Sequence, residues 1–461
     1  MHPRLARTLY FGLQRLRREP VSEALADVRR TEFLGRDELL ALQAERQLAQ
    51  LRFAARRVPY YRETYAPFLG DLERARTPND VAALVRRLPT VAKGAVVEQR
   101  RRFRAEGRIG PTYPDRTSGS SGTPLAFPCD QTAWAYRHAL TWRTLEAFGA
   151  RVGDPYGYFF GLHWSRRGRF QVRLRDWLFN RTRISAFDLG PSNLERHWRQ
   201  LRRFGPRYFL GYPSALAEFC ALAAQRGYDL EDLHLKAVMT TGEPLRAQQR
   251  TLIESTTGAP CANLYGSAEG GLGAFGCPAG SLHVAVEASW LDVADSDSET
   301  GDGGEAIVTD LFLRAFPLIR YAIGDGARRR DGICPCGRAH PMIADLEGRS
   351  GKPIQLPNGR RVNANLPSYV FKPFADGAVI RRYRFVETPK GLTLLLAVDR
   401  NSFTGEHLAQ VRQETHRAFG DDLDLEVEIL DTLPTLPNAK HRDYVPLDRG
   451  HPQEAPVRNN R

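Results

Sequence analysis

The stretch from Asp115 to Leu125, DRTSGSSGTPL, sets five hydroxyl side chains (Thr117, Ser118, Ser120, Ser121 and Thr123) around two glycines, Gly119 and Gly122, and follows them with a proline. Glycine lets a backbone turn tightly and bring its amides up to a ligand, and hydroxyls add donors, so this is the chemistry of a phosphate cradle. The same composition also suits a flexible linker. The nucleotide-binding pattern that ends in Gly-Lys-Ser/Thr is absent here, because Thr123 follows Gly122. Four later segments carry further candidates: Tyr265, Gly266 and Glu269 in NLYGSAEGG, Asp325 in IRYAIGDGARRR, Arg349 in LEGRSGKP and Lys440 in PTLPNAKHRDY. Taken singly, each reads equally as a turn, a strand end, a linker arginine or a solvated lysine.

Six cysteines are present. Cys129, Cys220 and Cys261 read as small buried residues. The other three, Cys277, Cys334 and Cys336, fall with His283 in the Pro/Gly turns GCPAGSLH and CPCG. Three thiolates and one imidazole complete a tetrahedral structural zinc site with no open position, although Cys-x-Cys is tighter than the usual Cys-x-x-Cys. A disulfide framework is not expected of a chain that reads as cytoplasmic.

The elements that must position these groups follow from the hydrophobic pattern. A helical pattern runs from Asp37 to about Arg57 and breaks near Pro59, and LPTVAKGAVVEQ reads as a short extended entry to the next segment. Gln131 to Phe148 reads as an amphipathic helix. From there to about residue 262 apolar runs alternate with helical ones; LKAVMTTGEPL is the clearest strand and turn, RAQQRTLIESTTG the clearest helix. That alternation predicts an α/β architecture. YGYFFGLHWSRRGR, from Tyr156 to Arg169, is aromatic enough to line a substrate pocket and also reads as a buried strand. Strand texture takes over from Ser281 to Tyr321. The Gly- and Pro-broken run near residue 350 marks a boundary, and strand, helix and strand then predict a small α+β domain. The expected division is 1–348 for ATP and acyl substrate, 349–352 as hinge, 353–450 as a small mobile domain and 451–461 as a disordered tail.

At 461 residues the chain has room for two or three domains and a cleft between them. Its net charge is +13, yet only six of the 66 basic residues are lysines and the arginines are spread along the whole length. No nucleic-acid-binding signature accompanies them, so nucleic acid is not an expected partner. No apolar run approaches the roughly 20 residues that span a bilayer. Near the start, Leu5, Leu9, Leu13 and Leu16 share one helical face among arginines. That face could pack against the protein body, lie on an anionic membrane surface or serve in targeting.

Together and in this order the segments resemble the adenylate-forming superfamily, and more closely its phenylacetate–coenzyme A ligase-like and CapK-like branch. VPYYRETY, LPTVAK, TSGSSGTPL, FLGYPSALAEF, TTGEPL, YGSAEGG, CPAGSLHV, GEAIVTDL, PLIRYAIGD and CPCGRAHP all stand where that branch has similar words. The resemblance implies a large N-terminal α/β domain and a small C-terminal α+β domain joined by a hinge. It implies an ATP-dependent, AMP-forming ligase that makes an acyl-adenylate from a carboxylic acid and passes the acyl group to an acceptor, coenzyme A by default. Transfer of AMP to a substrate hydroxyl, acyl transfer to an amine, sugar or carrier protein, and a non-enzymatic scaffold are the alternatives. By the same resemblance Thr117 to Thr123 grip the triphosphate, Tyr265 and Gly266 flank the adenine, Asp325 accepts the ribose hydroxyls, and Glu269 holds Mg²⁺. Arg349 contacts ribose or phosphate at the hinge, and Lys440 pairs with the carboxylate and the α-phosphate. Two departures stand out: Gly351 and Lys352 follow Gly348-Arg349 where an acidic hinge residue is usual, and Asn438-Ala439 replace the usual Ser-Gly before Lys440.

A compact ammonium on a flexible stem and a planar guanidinium present their charge differently, so Lys440 tests its own role. Lys440→Ala is expected to lose about 3–4 kcal/mol of transition-state stabilisation in ATP–pyrophosphate exchange, with little recovered by Lys440→Arg. Unchanged exchange in a folded Lys440→Ala chain would remove the lysine from the reaction.

Overall fold

The structure, a computed structural model, describes residues 1–117, 125–160, 169–186, 189, 191–243, 245–294, 303–347, 354–356, 359–362, 366–374, 379–430, 433–434, 444–445 and 447. Two compact units result: Met1–Asp115 with Phe127–Ser350, and Arg116–Ala126 with Gly351–Arg461. The strands up to residue 347 are β1 (Val91–Ala92), β2 (Thr112–Arg116), β3 (Ala126–Asp130), β4 (Tyr156–Phe160), β5 (Arg181–Ser185), β6 (Tyr208–Gly211), β7 (Ala237–Thr241), β8 (Cys261–Ser267), β9 (Gly271–Gly276), β10 (Leu282–Val284), β11 (Ser289–Val293), β12 (Gly303–Asp310), β13 (Tyr321–Arg330) and β14 (Met342–Glu347).

Among the described residues, one sheet runs in the order β11-β12-β13-β14-β10-β9-β8-β7-β6-β4-β5, with β1 added beside β13. Its β4 to β8 portion is parallel throughout. Parallel neighbours require crossovers, which the helices Pro191–Phe204, Pro213–Gln225 and Ala247–Thr257 supply. Covered on both faces, these strands are apolar without alternation, as Phe209, Val238 and Met239 at 0% exposure illustrate. From β8 to β11 every pairing is antiparallel. The alternating α/β region and the strand-rich region read from the sequence are thus the two halves of one sheet.

The first helix, Pro3–Leu16, settles against the body through a face beside its leucine stripe, with Leu9 and Leu13 half-buried. Ala6, Tyr10 and Gln14 are buried, and Trp142 Nε1 donates to the Tyr10 hydroxyl at 3.1 Å. Leu5 and Leu16 stay exposed. The helix Gln131–Ala147 packs on its other side against the helix Val21–Arg30 and against β9. Its Arg143 is 1% exposed and bonds Glu287, at 0%, while the Val28 carbonyl accepts from the same nitrogen at 3.1 Å. His340 Nε2 lies 2.9 Å from the same Glu287 oxygen. Burial alone would push the Glu287 carboxyl up, but Arg143 and His340 hold it well below the usual carboxylate range.

The second unit has a four-stranded sheet, with β17 (Ile380–Glu387), β18 (Gly391–Val398), β19 (Asp424–Leu430) and β20 (Tyr444–Val445) preceded by the small pair β15 (Ile354–Gln355) and β16 (Arg361–Val362). Its order is β19-β18-β17-β20. β17 and β18 form an antiparallel hairpin, and the helix Gly405–Phe419 carries the chain from β18 to its parallel neighbour β19. Thr404 caps that helix through its side chain, and Phe385 packs on Phe419 with ring centroids 4.8 Å apart.

His138, tilted against Trp134 with 3.8 Å between centroids, lies near Arg137 and Arg181; burial first, and then those two charges, lower its pKa from 6.5 to about 4. The unfolded chain therefore takes up this proton before the folded chain does, and stability falls as pH drops from about 6.5 to about 4. The pKa difference corresponds to at most ~3 kcal/mol. Denaturant midpoints measured across that window are expected to fall less steeply in His138→Gln; an identical pH profile would contradict the burial assigned to His138.

Candidate active site and metal-binding knuckle

The segment read as YGSAEGG is the hairpin between β8 and β9. Gly266 pairs with Leu272 and Ser267 with Gly271, which leaves Ala268, Glu269 and Gly270 as the turn. The glycines are sterically required: a Cβ on Gly266 would lie 2.4 Å from the Gly271 carbonyl, and Gly271 has φ +67°. Ser267 Oγ accepts from the Gly270 amide at 2.8 Å and closes the turn. The result aims Glu269, 8% exposed, at one place.

In the hydrogen-bonded order β13 stands four places from β8. Even so, the Tyr265 hydroxyl donates to Asp325 Oδ2 at 3.0 Å, and the Tyr321 hydroxyl lies 3.5 Å from Glu269 Oε1. The antiparallel half of the sheet therefore curls until β13 faces the β8–β9 hairpin. Tyr265, Gly266, Glu269 and Asp325 are brought together by that curl.

Three groups without an assigned role in the sequence reading buttress the same corner. Arg137 bridges Asp115 Oδ2 at 2.9 Å and Asp310 Oδ2 at 3.2 Å. Asp310 also accepts from the Phe312 and Leu313 amides through its other oxygen, and a Cβ on Gly271 would come within 2.6 Å of it. Burial would lower the Arg137 pKa, but Asp310 leads the groups that raise it above its ordinary value. Arg137 thus ties β2, just ahead of the Ser/Thr/Gly segment, to the end of β12. Nothing in the sequence singles it out from the other arginines; Asp310 and Tyr321 lie in GEAIVTDL and PLIRYAIGD, where their neighbours in sequence give no sign of these contacts.

Thr117 sits at the base of its loop. Its amide donates to the Leu125 carbonyl at 2.9 Å and its Oγ1 accepts from the Leu125 amide at 2.9 Å, so it pins both ends of the segment together. Ser118, Gly119, Ser120, Ser121, Gly122 and Thr123 lie outside the described residues, as do Arg349 and Lys440.

Cys277, His283, Cys334 and Cys336 converge, with their ligand atoms all within 4.8 Å of one another. Cys277 follows β9, His283 lies on β10, and the other two occupy the turn between β13 and β14. The two Cys-Pro-x-Gly turns are built alike. The Gly280 amide donates to the Cys277 carbonyl at 2.9 Å and the Gly337 amide to the Cys334 carbonyl at 3.2 Å, with φ +80° and +82° at the glycines. Cys277 and Cys334 sulfurs are 3.6 Å apart, close to the roughly 3.8 Å edge of a tetrahedral site with Zn–S near 2.3 Å. The His340 carbonyl lies 3.3 Å from His283 Nδ1 and can only accept, so Nδ1 carries the proton and the Nε2 lone pair faces Cys336 Sγ at 3.4 Å. Burial pushes the Cys277 thiol up to about 11 and lowers the His283 pKa to about 4. A cation among these donors would reverse the penalty on the thiolate. Cys129, Cys220 and Cys261 are simply buried, each pushed up to about 12.

The chain superposes on 2-hydroxyisobutyryl-CoA ligase in complex with 2-HIB-AMP and CoA in the thioesterification state with a TM-score of 0.60 and 18% identity, covering 90% of this chain and 91% of that one. The same ligase in the postadenylation state gives a TM-score of 0.56 over 91% and 92% of the two chains, again at 18% identity. In sequence the chain is a relative of protein CapK from Staphylococcus aureus, 23% identical over 71% of this chain and 72% of the relative. It is likewise related to the phenylacetate–coenzyme A ligases of Aromatoleum evansii, at 26% identity over 70% and 73%, and of Thermus thermophilus, at 25% over 69% and 72%. No protein-family model matches it. The resemblance read from the motifs and the predicted fold class both hold.

Arg137 is the test of how this corner is held. Arg137→Ala removes the cation that bridges Asp115 and Asp310 and is expected to cost about 1–3 kcal/mol by denaturant titration. Adding Asp310→Asn to that variant should restore part of the loss. Additive losses would show that the two side chains act independently.

Proposed function

We propose that the chain is an ATP-dependent, AMP-forming ligase that activates a carboxylic acid as its acyl-adenylate and transfers the acyl group to coenzyme A. The observation that carries this reading is the meeting of Tyr265, Glu269, Tyr321 and Asp325 from the β8–β9 hairpin and β13. The chain's similarity to phenylacetate–coenzyme A ligases over most of its length supports it. A carboxylate oxygen attacks the α-phosphorus as the bond to pyrophosphate breaks. The thiol sulfur then attacks the acyl carbon, its proton passes to solvent, and AMP leaves.

Each residue has an assigned part. Asp325, an acceptor held in orientation by the Tyr265 hydroxyl, receives the ribose hydroxyls. The adenine lies along Tyr265 and the Gly266 backbone. Thr117 fastens the loop whose residues 118–123 hold the phosphates. Lys440 pairs with the attacking carboxylate and the α-phosphate, and Arg349 contacts ribose or phosphate in the 349–352 hinge between a large domain, 1–348, and a small one, 353–450. Glu269 fits a hard cation: it is a buried acid with an oxygen donor set, and Mg²⁺ when bound there supplies charge neutralisation for departing pyrophosphate.

The Cys277, His283, Cys334 and Cys336 cluster is assigned to structural zinc, which would fasten the β9–β10 turn to the β13–β14 turn. Among the described residues no helix is long and apolar enough to cross a membrane. The need for ATP and coenzyme A supports a cytoplasmic setting for the proposed activity.

ATP–pyrophosphate exchange against a panel of carboxylic acids tests the reading. Exchange that depends on an added acid supports it; exchange without acid, with AMP recovered on a hydroxyl, overturns it in favour of adenylyl transfer. Glu269→Ala is expected to lower acid-dependent exchange about 10²-fold or more with an unchanged melting temperature. Protein purified without chelator should hold about one zinc per chain, and Cys334→Ser with Cys336→Ser should lose it. Full metal content in that double variant would break the zinc assignment.

A further inference from the structure

The first helix leaves an unused apolar stripe. Its inner face is occupied by Ala6, Tyr10 and Gln14, yet Leu5, Leu9, Gly12 and Leu16 follow one another at spacings of four, three and four along the outer side. Leu5 is 53% and Leu16 81% exposed. A helix that has satisfied its core-facing side gains nothing from such residues in water. Arg4 and Arg15 flank the stripe and Arg17 and Arg18 follow it, while the helix itself contains no acidic residue.

A neighbouring helix carries exposed apolar residues of its own. Arg169–Leu178 packs against the first helix, with Tyr10 edge-on to Phe179 at 5.6 Å and Asn180 Nδ2 donating to the Met1 carbonyl at 3.2 Å. It exposes Leu174 at 47% and Trp177 at 55%, one turn apart, between the exposed Arg173 and Arg175. Its one acid, Asp176, is spent inward on Arg181 and Arg183, each at 2.7 Å or less. Glu19, beyond the first helix, is buried and bonded by Tyr113.

We propose that these two neighbouring helices dock the protein reversibly on an anionic lipid bilayer. Protruding leucines enter the headgroup and acyl boundary, Trp177 sits at the interface that indole favours, and the arginines face lipid phosphates. A protein partner would be expected to meet a rim of mixed charge, whereas the charge left exposed here is of one sign. Three leucines and one tryptophan beside the stripe's arginines suit a peripheral and salt-sensitive attachment.

Vesicle flotation of the full chain tests the proposal. Vesicles of phosphatidylcholine with phosphatidylglycerol are expected to carry the protein at low salt, pure phosphatidylcholine vesicles are not, and high salt should release it. Leu16→Ser with Trp177→Ser should lower the partition coefficient about tenfold or more. Arg4→Glu with Arg15→Glu should remove the preference for anionic lipid, since each cation near the surface is worth about fivefold. All four positions are exposed and outside the ATP site, so melting temperature and pyrophosphate exchange in solution should stay as in the unaltered chain. Equal flotation with both lipids, full binding by the Leu16/Trp177 variant, or binding only to an acidic carrier protein would each overturn the proposal.

Discussion

The first unit turns on one buried charge pair, Arg143 with Glu287. Both side chains are withdrawn from water, so each would be costly alone, and the fold must deliver them to each other. It does so from three directions at once. The Val28 carbonyl and Thr31 hydroxyl come from the end of the second helix, Arg143 from the long helix that follows β3, and His340 from the turn before β14. Phe275 of β9 lies beneath the guanidinium, 4.3 Å from its centroid. Removing either partner would strand the other as an uncompensated buried charge.

That pair has consequences at both functional places. Arg143 and Arg137 lie on the same helix, so seating one on Glu287 and Phe275 places the other against Asp310 and beside Gly271, where the β8–β9 hairpin begins its return. On the opposite side, His340 gives its ring to Glu287 and its backbone carbonyl to His283. The Cys/His cluster and the corner that holds Tyr265, Glu269 and Asp325 are therefore braced by a common frame. Phosphoryl chemistry depends on positioning, and the frame is built from backbone pairings and buried ions instead of mobile surface contacts.

The sequence made the two sheet halves legible because their textures differ: continuous apolar strands alternating with helices before residue 262, and successive strands punctuated by glycine after it. The segments carrying Tyr265, Glu269, Tyr321 and Asp325 were legible as ordered motifs, and Cys277, His283, Cys334 and Cys336 as potential ligands in two turns. What escaped were relations across strands. Tyr321 and Glu269 belong to segments distant in sequence, and only the curl of the sheet brings them together. Arg137 was hidden by composition, since an arginine carries little information in a chain with so many. The leucines of the first helix were recognised as a face, but hydrophobic periodicity names a face without saying which side of the helix the protein covers. Here the smaller Ala6, with Tyr10 and Gln14, fits against the body, because Gly153 leaves room for the helix backbone to approach: a Cβ there would sit 2.4 Å from the Pro3 carbonyl.

The central claim is that a carboxylate oxygen becomes bonded to the α-phosphorus of ATP at this site. An acid that supports exchange, labelled with ¹⁸O in its carboxyl group and turned over with ATP and coenzyme A, tests this most directly by mass analysis of the nucleotide product. The account predicts AMP carrying one ¹⁸O, unlabelled pyrophosphate and a thioester that retains the other oxygen. Unlabelled AMP, or label in an inorganic phosphate released with ADP, would contradict it.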